Sequence, residues 1–297
     1  MFHVKHSPSL LYFGGGGVII GNIPGPFGAI SVCMSEGRRR PPRMGRIIAI
    51  ANQKGGVGKT TTAVNLAAEL AAQGREVLLC DFDPQGNATS GLGINKKKLT
   101  RTIYTVLCGG DTAASALVRT PVDHLALLPT DNNLAGAAIE LVAQPDRVTR
   151  LKDKLLPLRH RFDFLFIDCP PSLELLTLNA LNAADSVLVP IQCEFFALEG
   201  LSQLTNSIRQ IKKLYNPELS IEGVLLTMYD GRLNLTVEVA QEIKRFFADK
   251  VYATVIPRNV RLSEAPSHGL PIGLYDKYSR GAEAYRAFAQ EFLSRQP

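Results

Sequence analysis

Short, uniformly apolar runs alternate with amphipathic segments through most of this 297-residue chain. Runs that are apolar on both faces are typical of parallel strands, because the connecting helices cover both sides of such a sheet. We therefore predict an α/β fold with a mostly parallel, twisted sheet and helices on both faces. Seven strands are expected, at RIIAIAN, EVLLCDFD, HLALLP, FDFLFIDCP, SVLVPIQ, IEGVLLTMY and KVYATVIP. Ligands of such sheets bind at the carboxyl ends of the strands.

Helical patterns fill the intervals between these runs. Three of them are TTTAVNLAAELAAQG, LEGLSQLTNSIRQIKKLYN and LTVEVAQEIKRFFADK. The final segment, SRGAEAYRAFAQEFLSRQP, has an apolar stripe of Ala284, Phe288 and Phe292 at helical spacing but few basic residues. We expect this stripe to dock on the core rather than on a membrane, since membrane-surface helices are usually strongly basic.

The first predicted strand is followed by NQKGGVGKTTT and then by a helical segment. Glycines at positions 55, 56 and 58 allow consecutive backbone N–H groups to curl around phosphate oxygens, and the helix N-terminus adds its positive dipole end. Lys59 can then reach the β- and γ-phosphates, and the Thr60 hydroxyl can ligate Mg²⁺. The segment predicts a P-loop. A glycine turn with a lysine there by chance is disfavoured by the strand–loop–helix context.

Three aspartates lie at the ends of predicted buried strands, where an unpaired carboxylate is costly. Asp81 and Asp83 end the run EVLLCDFD, and Asp168 ends FDFLFID in the pattern of a Walker B strand. Aspartates at strand ends also form ordinary turns, so each alone is weak. Their order after a P-loop favours a role beside the phosphates and Mg²⁺.

The motif KGGVGKT resembles the deviant Walker A box of the ParA/MinD family of ATPases, which share the nitrogenase-reductase-like P-loop fold. DFDPQGNATSGLG, PIQCEFFALEGLSQL, LLTMYDGR and VIPRNVRLSEAPSHG extend the resemblance to ParA/Soj chromosome-partitioning ATPases along residues 45–295. The resemblance implies a weak, Mg²⁺-dependent ATPase that forms an ATP-dependent sandwich homodimer. It implies that this dimer binds double-stranded DNA without sequence preference and is released when a ParB-type centromere-binding protein stimulates hydrolysis.

The same resemblance implies roles for individual residues. Lys54 would act in trans on the partner subunit's phosphates, and Asp83 would position the attacking water. Thr60, Asp81 and Asp168 would lie at Mg²⁺, with Asp168 acting through water. Pro257 and Asn259 would lie against the adenine. The full set of implied nucleotide contacts is Lys54, Gly55, Gly56, Val57, Gly58, Lys59, Thr60, Thr61, Pro257 and Asn259.

The net charge of +6 gives little support to DNA binding by the folded part, because residues 1–43 contain five basic residues and one acidic residue. An argument for DNA binding must therefore rest on local clusters of basic residues rather than on net charge. Arg232, Arg258 and Arg261 fall in loop-like segments after predicted strands, and Lys244 with Arg245 lies on a helix. The resemblance singles out Arg232 and Arg261 as contacts to the phosphate backbone. A solvated surface charge is the alternative for each.

Other functions of related ATPases fit the sequence less well. No stretch is long and apolar enough to span a membrane. None of the five cysteines forms a CxxC pair, as an iron–sulfur carrier would need, and a reducing cytoplasm fits their scatter. We expect a cytoplasmic, nucleoid-associated protein. One alternative stays open: an ATP-switched regulator or scaffold that acts on replication initiation or sporulation factors, with turnover secondary.

Residues 1–43, rich in Gly, Pro and Arg, show no periodic pattern and are too short for a helix-turn-helix domain. We expect them to be a disordered extension or a mis-assigned start, and residues 44–297 to form one ATPase domain. MFHVKH can be encoded by ATGTTTCACGTGAAACAT, which contains a palindrome like the parS site that ParB partners of the resembled family bind. The segment is therefore interpreted as a translated DNA site, with an ordinary tail as the alternative.

Overall fold

The structure, a computed structural model, describes residues 44–172 and 174–296. The expected N-terminal extension, residues 1–43, lies outside the described residues. The described part forms one sheet of seven strands, in the spatial order β3-β4-β2-β5-β1-β6-β7. The strands are β1 (Arg46–Ile50), β2 (Val77–Asp81), β3 (Val118–Arg119), β4 (Leu125–Leu128), β5 (Phe164–Asp168), β6 (Ser186–Gln192) and β7 (Ser220–Thr227).

Parallel pairing dominates this sheet, as the apolar runs predict. β1 lies between β5 and β6 and is parallel to both, and β2 is parallel to β4 and β5. The two-residue strand β3 is the antiparallel exception and was not predicted. The pairing of β2 with β5 places Asp81 directly opposite Asp168. The carboxyl ends of the central strands therefore bring two of the predicted metal residues together.

Helices cover both faces of the sheet. Alternate residues of β1 enter different cores: Ile47 and Ala49 pack with α3 to α8, whereas Ile48 and Ile50 pack with α1, α2 and α9 to α11. This alternation explains why β1 is apolar at every position after Arg46. The helices are α1 (Lys59–Ala72), α2 (Asn87–Gly91), α3 (Ile103–Leu107), α4 (Leu134–Val142), α5 (Arg150–Leu155), α6 (Leu175–Ala183), α7 (Ala197–Leu214), α8 (Asn234–Phe247), α9 (Val260–Glu264), α10 (Ile272–Tyr275) and α11 (Arg280–Ser294).

The C-terminal helix α11 docks on the core, which confirms the interpretation of its apolar stripe. Phe288 and Phe292 are fully buried, and Ala284 packs at the edge of the same cluster. The Phe292 ring centroid lies 5.4 Å from that of Phe164 on β5. Among the described residues, no helix combines the length and apolar character needed to cross a membrane.

The prediction of a regular strand at KVYATVIP is wrong. The segment runs beside β7 but forms only isolated bridges at Val251 and Pro257. Between them, the backbone N–H groups of Ala253 and Thr254 each donate to the Glu291 carboxylate of α11, both at 2.8 Å. A side chain thus takes the donors that a ladder would use, and Pro257 has no N–H to give.

Candidate functional site

The glycine-rich loop joins the end of β1 to the start of α1. Gly56 and Gly58 have φ values of +75° and +87°, a left-handed conformation that favours glycine. Gly58 precedes the first residue of α1, and no side chain caps that terminus. The first backbone N–H groups of a helix have no intrahelical partner, so this terminus can bind an anion.

Lys59, the first residue of α1, is held inside the loop. Its side chain is buried, and its Nζ donates to the Lys54 carbonyl at 3.1 Å. Burial lowers the pKa of Lys59, while the nearby carboxylates of Asp168 and Asp83 favour the charged form and oppose that shift. A buried ammonium between a carbonyl and two carboxylates is a preformed contact for a phosphate.

A cavity of about 550 Å³ opens beside this loop, within the usual size range of a small-molecule site. Four segments supply most of its walls: the glycine loop with the start of α1, the loop after β2, the end of β7, and the chain before and within α9. Pro171, Pro266 and Tyr285 complete the lining. The lining includes the predicted residues Gly55, Gly56, Gly58, Lys59, Thr60, Thr61, Asp83, Pro257, Arg258 and Asn259. Residues far apart in the sequence therefore meet around one space.

Asp81 ends β2 and is fully buried. Its Oδ2 accepts hydrogen bonds from Thr89, at 2.7 Å from the backbone N–H and 2.6 Å from the hydroxyl. Its Oδ1 has no partner among the described residues. Burial raises the pKa of Asp81 to about 6, with Thr89 opposing the shift. Thr89 thus fixes one carboxylate oxygen and leaves the other free to bind a cation.

Asp168 ends β5 and is also fully buried. Neither of its carboxylate oxygens has a hydrogen-bond partner of normal geometry in the described part of the chain. Burial, reinforced by the charge of Asp81, raises the pKa of Asp168 well above its usual range, and the nearby Thr60 hydroxyl opposes the shift. Two adjacent buried carboxylates with unpartnered oxygens fit a hard divalent cation, for which oxygen ligands are preferred.

The protein alone would give such a cation few ligands. Within the residues that the structure describes, no three His, Cys, Asp or Glu side chains converge to hold a metal ion. Mg²⁺ keeps several waters and is usually bound by one or two carboxylates together with substrate phosphates. Asp81, Asp168 and the Thr60 hydroxyl match that pattern rather than a closed metal cage.

Asp83 lies two residues beyond β2 and lines the cavity. Its side chain is buried, and its Oδ1 accepts from the Gln85 N–H at 3.0 Å. The turn that follows is closed by the Gly86 N–H, which donates to the Asp83 carbonyl at 2.8 Å. The turn therefore holds the carboxylate at the wall of the cavity, where it can accept a proton or orient a water.

Lys54, by contrast, is directed to a partner that the sequence did not suggest. Its Nζ forms an ion pair with Glu194, in the segment between β6 and α7. Both side chains are substantially exposed, at 39% and 45%. The Lys54 ammonium is thus paired with a carboxylate, whereas its backbone carbonyl accepts from Lys59.

The wall of the cavity formed by the chain before α9 contains Pro257 and Asn259. The Asn259 side chain accepts from the Leu262 N–H at 3.3 Å and so caps α9. Thr227, at the end of β7, donates its hydroxyl to the Val57 carbonyl at 2.8 Å and ties the glycine loop to this wall. Met228 follows with φ of +49°, an unusual conformation for a non-glycine residue.

The three candidate DNA-binding arginines differ in their surroundings. Arg232 lies in the turn after β7, and its side chain is 89% exposed. Arg258 is exposed at the rim of the cavity. Arg261 lies within α9 rather than in a loop, because the Asn259 cap starts a helix there. Arg232 pairs with Asp230, and Arg261 pairs with Glu264.

Sequence reasoning missed three residues that position the site: Thr89, Glu194 and Thr227. Glu194 and Thr227 act through contacts between segments 140 and 170 positions apart in the chain, and such contacts leave no local pattern. Thr89 was the most accessible to prediction, since a buried Asp81 requires a hydrogen-bond donor and NATSG follows it in the same segment.

Comparison with known proteins gives concordant matches. A family model described as "AAA domain" matches residues 45–221. The sporulation initiation inhibitor protein Soj of Bacillus subtilis is 58% identical over 248 residues, covering 84% of this chain and 98% of that protein. The chromosome partitioning protein ParA of Myxococcus xanthus is 52% identical, covering 89% and 94%. A structure described as cobyrinic acid a,c-diamide synthase from Mycobacterium smegmatis, with bound ADP and magnesium, is 41% identical with a TM-score of 0.74, covering 84% and 94%.

Proposed function

Since the chain belongs to the ParA/Soj family of chromosome-partitioning ATPases, we propose that it hydrolyses ATP with Mg²⁺ in the cavity beside Lys59 and uses this reaction to control DNA binding. The observation that carries the proposal is the convergence of a buried lysine with two buried carboxylates, each of which has at least one oxygen without a hydrogen-bond partner among the described residues. Such uncompensated charge is costly unless a ligand completes it.

The glycine loop would hold the phosphates. Backbone N–H groups from Gly55 to Thr61 cradle the oxygens, and Lys59 neutralises charge on the β- and γ-phosphates. Pro257 and Asn259 would lie against the adenine, on the wall formed by the chain before α9. The bond from Thr227 to Val57 keeps that wall at a fixed distance from the loop.

Thr60, Asp81 and Asp168 would hold Mg²⁺, which would neutralise negative charge on the β- and γ-phosphates. Because burial raises the pKa values of both aspartates, each carboxylate gains from a neighbouring cation more than an exposed one would. Asp83 would orient the attacking water at the γ-phosphate, from its position in the turn after β2.

Lys54 would act on the phosphates of a second subunit in an ATP-dependent sandwich dimer. Its exposed position and its pairing with Glu194 are consistent with a side chain that can change partners. Arg232, Arg258 and Arg261 would contact the DNA backbone, and dimerisation would double this set. Contacts to phosphates add together and weaken steeply with salt, so a dimer can bind where a monomer does not.

The cycle then has four steps. ATP and Mg²⁺ bind, two subunits close with Lys54 exchanged, the dimer binds double-stranded DNA without sequence preference, and a ParB-type partner stimulates hydrolysis and releases it. We place the protein in the cytoplasm and on the nucleoid. Residues 44–297 are proposed to form the whole ATPase domain, with residues 1–43 dispensable.

DNA co-sedimentation tests this function. The wild-type chain is compared in ADP, in ATP, and in ATP with the Lys54→Ala change, each at two salt concentrations. Binding should appear only with ATP, fall with salt and disappear in the variant. Binding that ignores the nucleotide, or that survives Lys54→Ala, would contradict the nucleotide-gated dimer. A chain that starts at Met44 should behave as the wild type does.

A second candidate function is supported by the name of one relative, a sporulation initiation inhibitor. ATP would then act as a conformational ligand that switches contacts with replication or sporulation factors. Asp83→Ala should stop hydrolysis and leave the ATP dimer intact, whereas Lys54→Ala should prevent the dimer. A cellular output that needs only the dimer survives Asp83→Ala; an output that needs cycling is lost.

A further inference from the structure

The exposed arginines after β7 do not present free cations to solvent. Arg232 donates through Nε to Asp230 Oδ1 at 2.8 Å and through Nη2 to Asp230 Oδ2 at 2.6 Å. This is the two-pronged geometry in which a guanidinium also binds phosphate. The Arg232 side chain is 89% exposed and that of Asp230 is 23% exposed, so the arginine is open to a ligand while its carboxylate is recessed.

The carboxylate is fixed independently of the arginine side chain. Asp230 Oδ1 also accepts from the Arg232 backbone N–H at 3.1 Å, which forms a local turn. The turn begins from Tyr229, whose N–H donates to the Ile256 carbonyl at 2.9 Å. Asp230 would therefore stay in place if the Arg232 guanidinium moved away, and the ion pair could form again when the guanidinium returned.

Protonation does not release the arginine near neutral pH. Hydrogen bonds from Arg232 lower the pKa of Asp230 to about 2. The carboxylate therefore stays charged near neutral pH, and an anionic ligand must compete with it for Arg232. A DNA phosphate offers the same charge and the same pair of oxygen acceptors.

We propose that Asp230 is a built-in competitor of the DNA phosphate for Arg232, and that it limits the affinity of each subunit for DNA. The inference rests on the proposed DNA-binding function. Binding would exchange one anion for another at Arg232 rather than fill an empty site. The gain per subunit is then small, so that binding depends on summing contacts over a dimer, and the complex remains easy to release.

Arg261 shows the same arrangement less completely. Its Nη1 donates to Glu264 Oε2 at 2.8 Å, and its Nε lies 3.5 Å from Asp276 Oδ2. Arg258 forms no ion pair in the described part of the chain, although its charge acts on Asp230. Among these three arginines, Arg232 is the one that forms a bidentate pair with a single carboxylate. It therefore offers the cleanest test.

The test is the DNA affinity of the full chain with ATP and Mg²⁺, measured for Asp230→Asn against the matched control Glu238→Gln. Glu238 is an exposed carboxylate on the neighbouring helix α8, so both changes remove one negative charge. An exposed ion pair is weak, and a dimer has two copies of it, so Asp230→Asn should tighten binding by about 3- to 10-fold. Glu238→Gln should tighten it by less than about 2-fold.

A double-mutant cycle with Arg232→Ala separates competition from general charge. If Asp230 acts through Arg232, the gain disappears in the Arg232→Ala background. A gain that persists there, or an Asp230→Asn variant that binds no tighter than Glu238→Gln, overturns the inference and leaves the proposed function standing. Weaker binding by Asp230→Asn also overturns it, since the carboxylate would then preposition the arginine. If no variant binds DNA with ATP, the proposed function itself fails.

Discussion

Two regions of the molecule carry charged side chains that are proposed to bind ligands, and they hold these side chains in opposite ways. At the carboxyl ends of β2 and β5, Asp81 and Asp168 are fully buried, with oxygens that lack partners. In the turn after β7, Arg232 is almost fully exposed and forms two side-chain hydrogen bonds with the Asp230 carboxylate. The carboxylates of the first region have no hydrogen-bonded cationic partner among the described residues, whereas the arginine of the second region is already paired with a carboxylate.

The difference determines what a ligand gains in each region. A cation that reaches the buried carboxylates relieves a desolvation cost already present in the folded chain, so binding can be strong and can stabilise the fold. A phosphate that reaches Arg232 must first displace a carboxylate, so the net gain is small. Under the proposed function, the first region would bind its ligand tightly and the second would allow reversible attachment to DNA.

The largest effect is expected from Lys59, which lies at the centre of the buried region. Lys59→Met keeps most of the side-chain volume but removes the ammonium that would meet the phosphates. ATP hydrolysis should fall by about 10²-fold or more, the usual loss for an essential electrostatic contact. Lys97→Met, at an exposed lysine in the short 3-10 helix after α2, is the control and should leave the rate unchanged. Equal rates for the two variants would remove Lys59 from the site.

The next effect concerns the buried carboxyl of Asp81 and is measured as the free energy of unfolding without nucleotide. Burial raises the pKa of Asp81 to about 6 from an ordinary value of 3.8. Between those values the folded chain binds the proton more tightly than the unfolded chain, so this carboxyl lowers the free energy of unfolding as the pH rises. Asp81→Asn retains an oxygen acceptor for Thr89 and should stabilise the protein at pH 7.5 by about 2–3 kcal/mol.

Denaturant unfolding from pH 4 to pH 8 measures this gain. The advantage of Asp81→Asn should shrink as the pH falls toward 4, where the wild-type carboxyl is protonated in the folded chain and begins to be protonated in the unfolded chain as well. Asp123→Asn, at an exposed position, should show no such dependence. If Asp81→Asn were less stable than the wild type at every pH, the buried Asp81 carboxylate would not destabilise the folded chain.

A smaller effect separates two adjacent glycines of the loop. Gly56 has φ of +75°, whereas Gly55 does not lie in the left-handed region, and an added Cβ would meet no atom within 4 Å at either position. Gly56→Ala should therefore cost about 1–2 kcal/mol of stability through backbone strain alone. Gly55→Ala should be nearly neutral in the nucleotide-free chain. Equal thermal shifts for the two variants would show that the loop conformation adapts.

The sequence predicts the buried region far better than the exposed one, for a physical reason. Buried strands need continuous apolar residues, and a left-handed loop needs glycine, so RIIAIAN and KGGVGKT reveal both β1 and the cradle. The ends of strands then place Asp81 and Asp168 without further information. Exposed side chains have no such requirement. The pairing of Lys54 with Glu194 joins residues 140 positions apart, and no periodicity reports it.

The smallest effect compares one chemical change at two degrees of burial. Glu194→Gln breaks the exposed pair with Lys54 and should change the free energy of unfolding by less than about 0.5 kcal/mol. Glu222→Gln alters a carboxylate that is 6% exposed and bonded to Arg46 and Ser186, and it should cost about 1–2 kcal/mol. Denaturant unfolding at low and high salt measures both. If Glu194→Gln costs as much as Glu222→Gln, the exposed pair is a fixed structural contact, and Lys54 is not poised to exchange it for a phosphate of a second subunit.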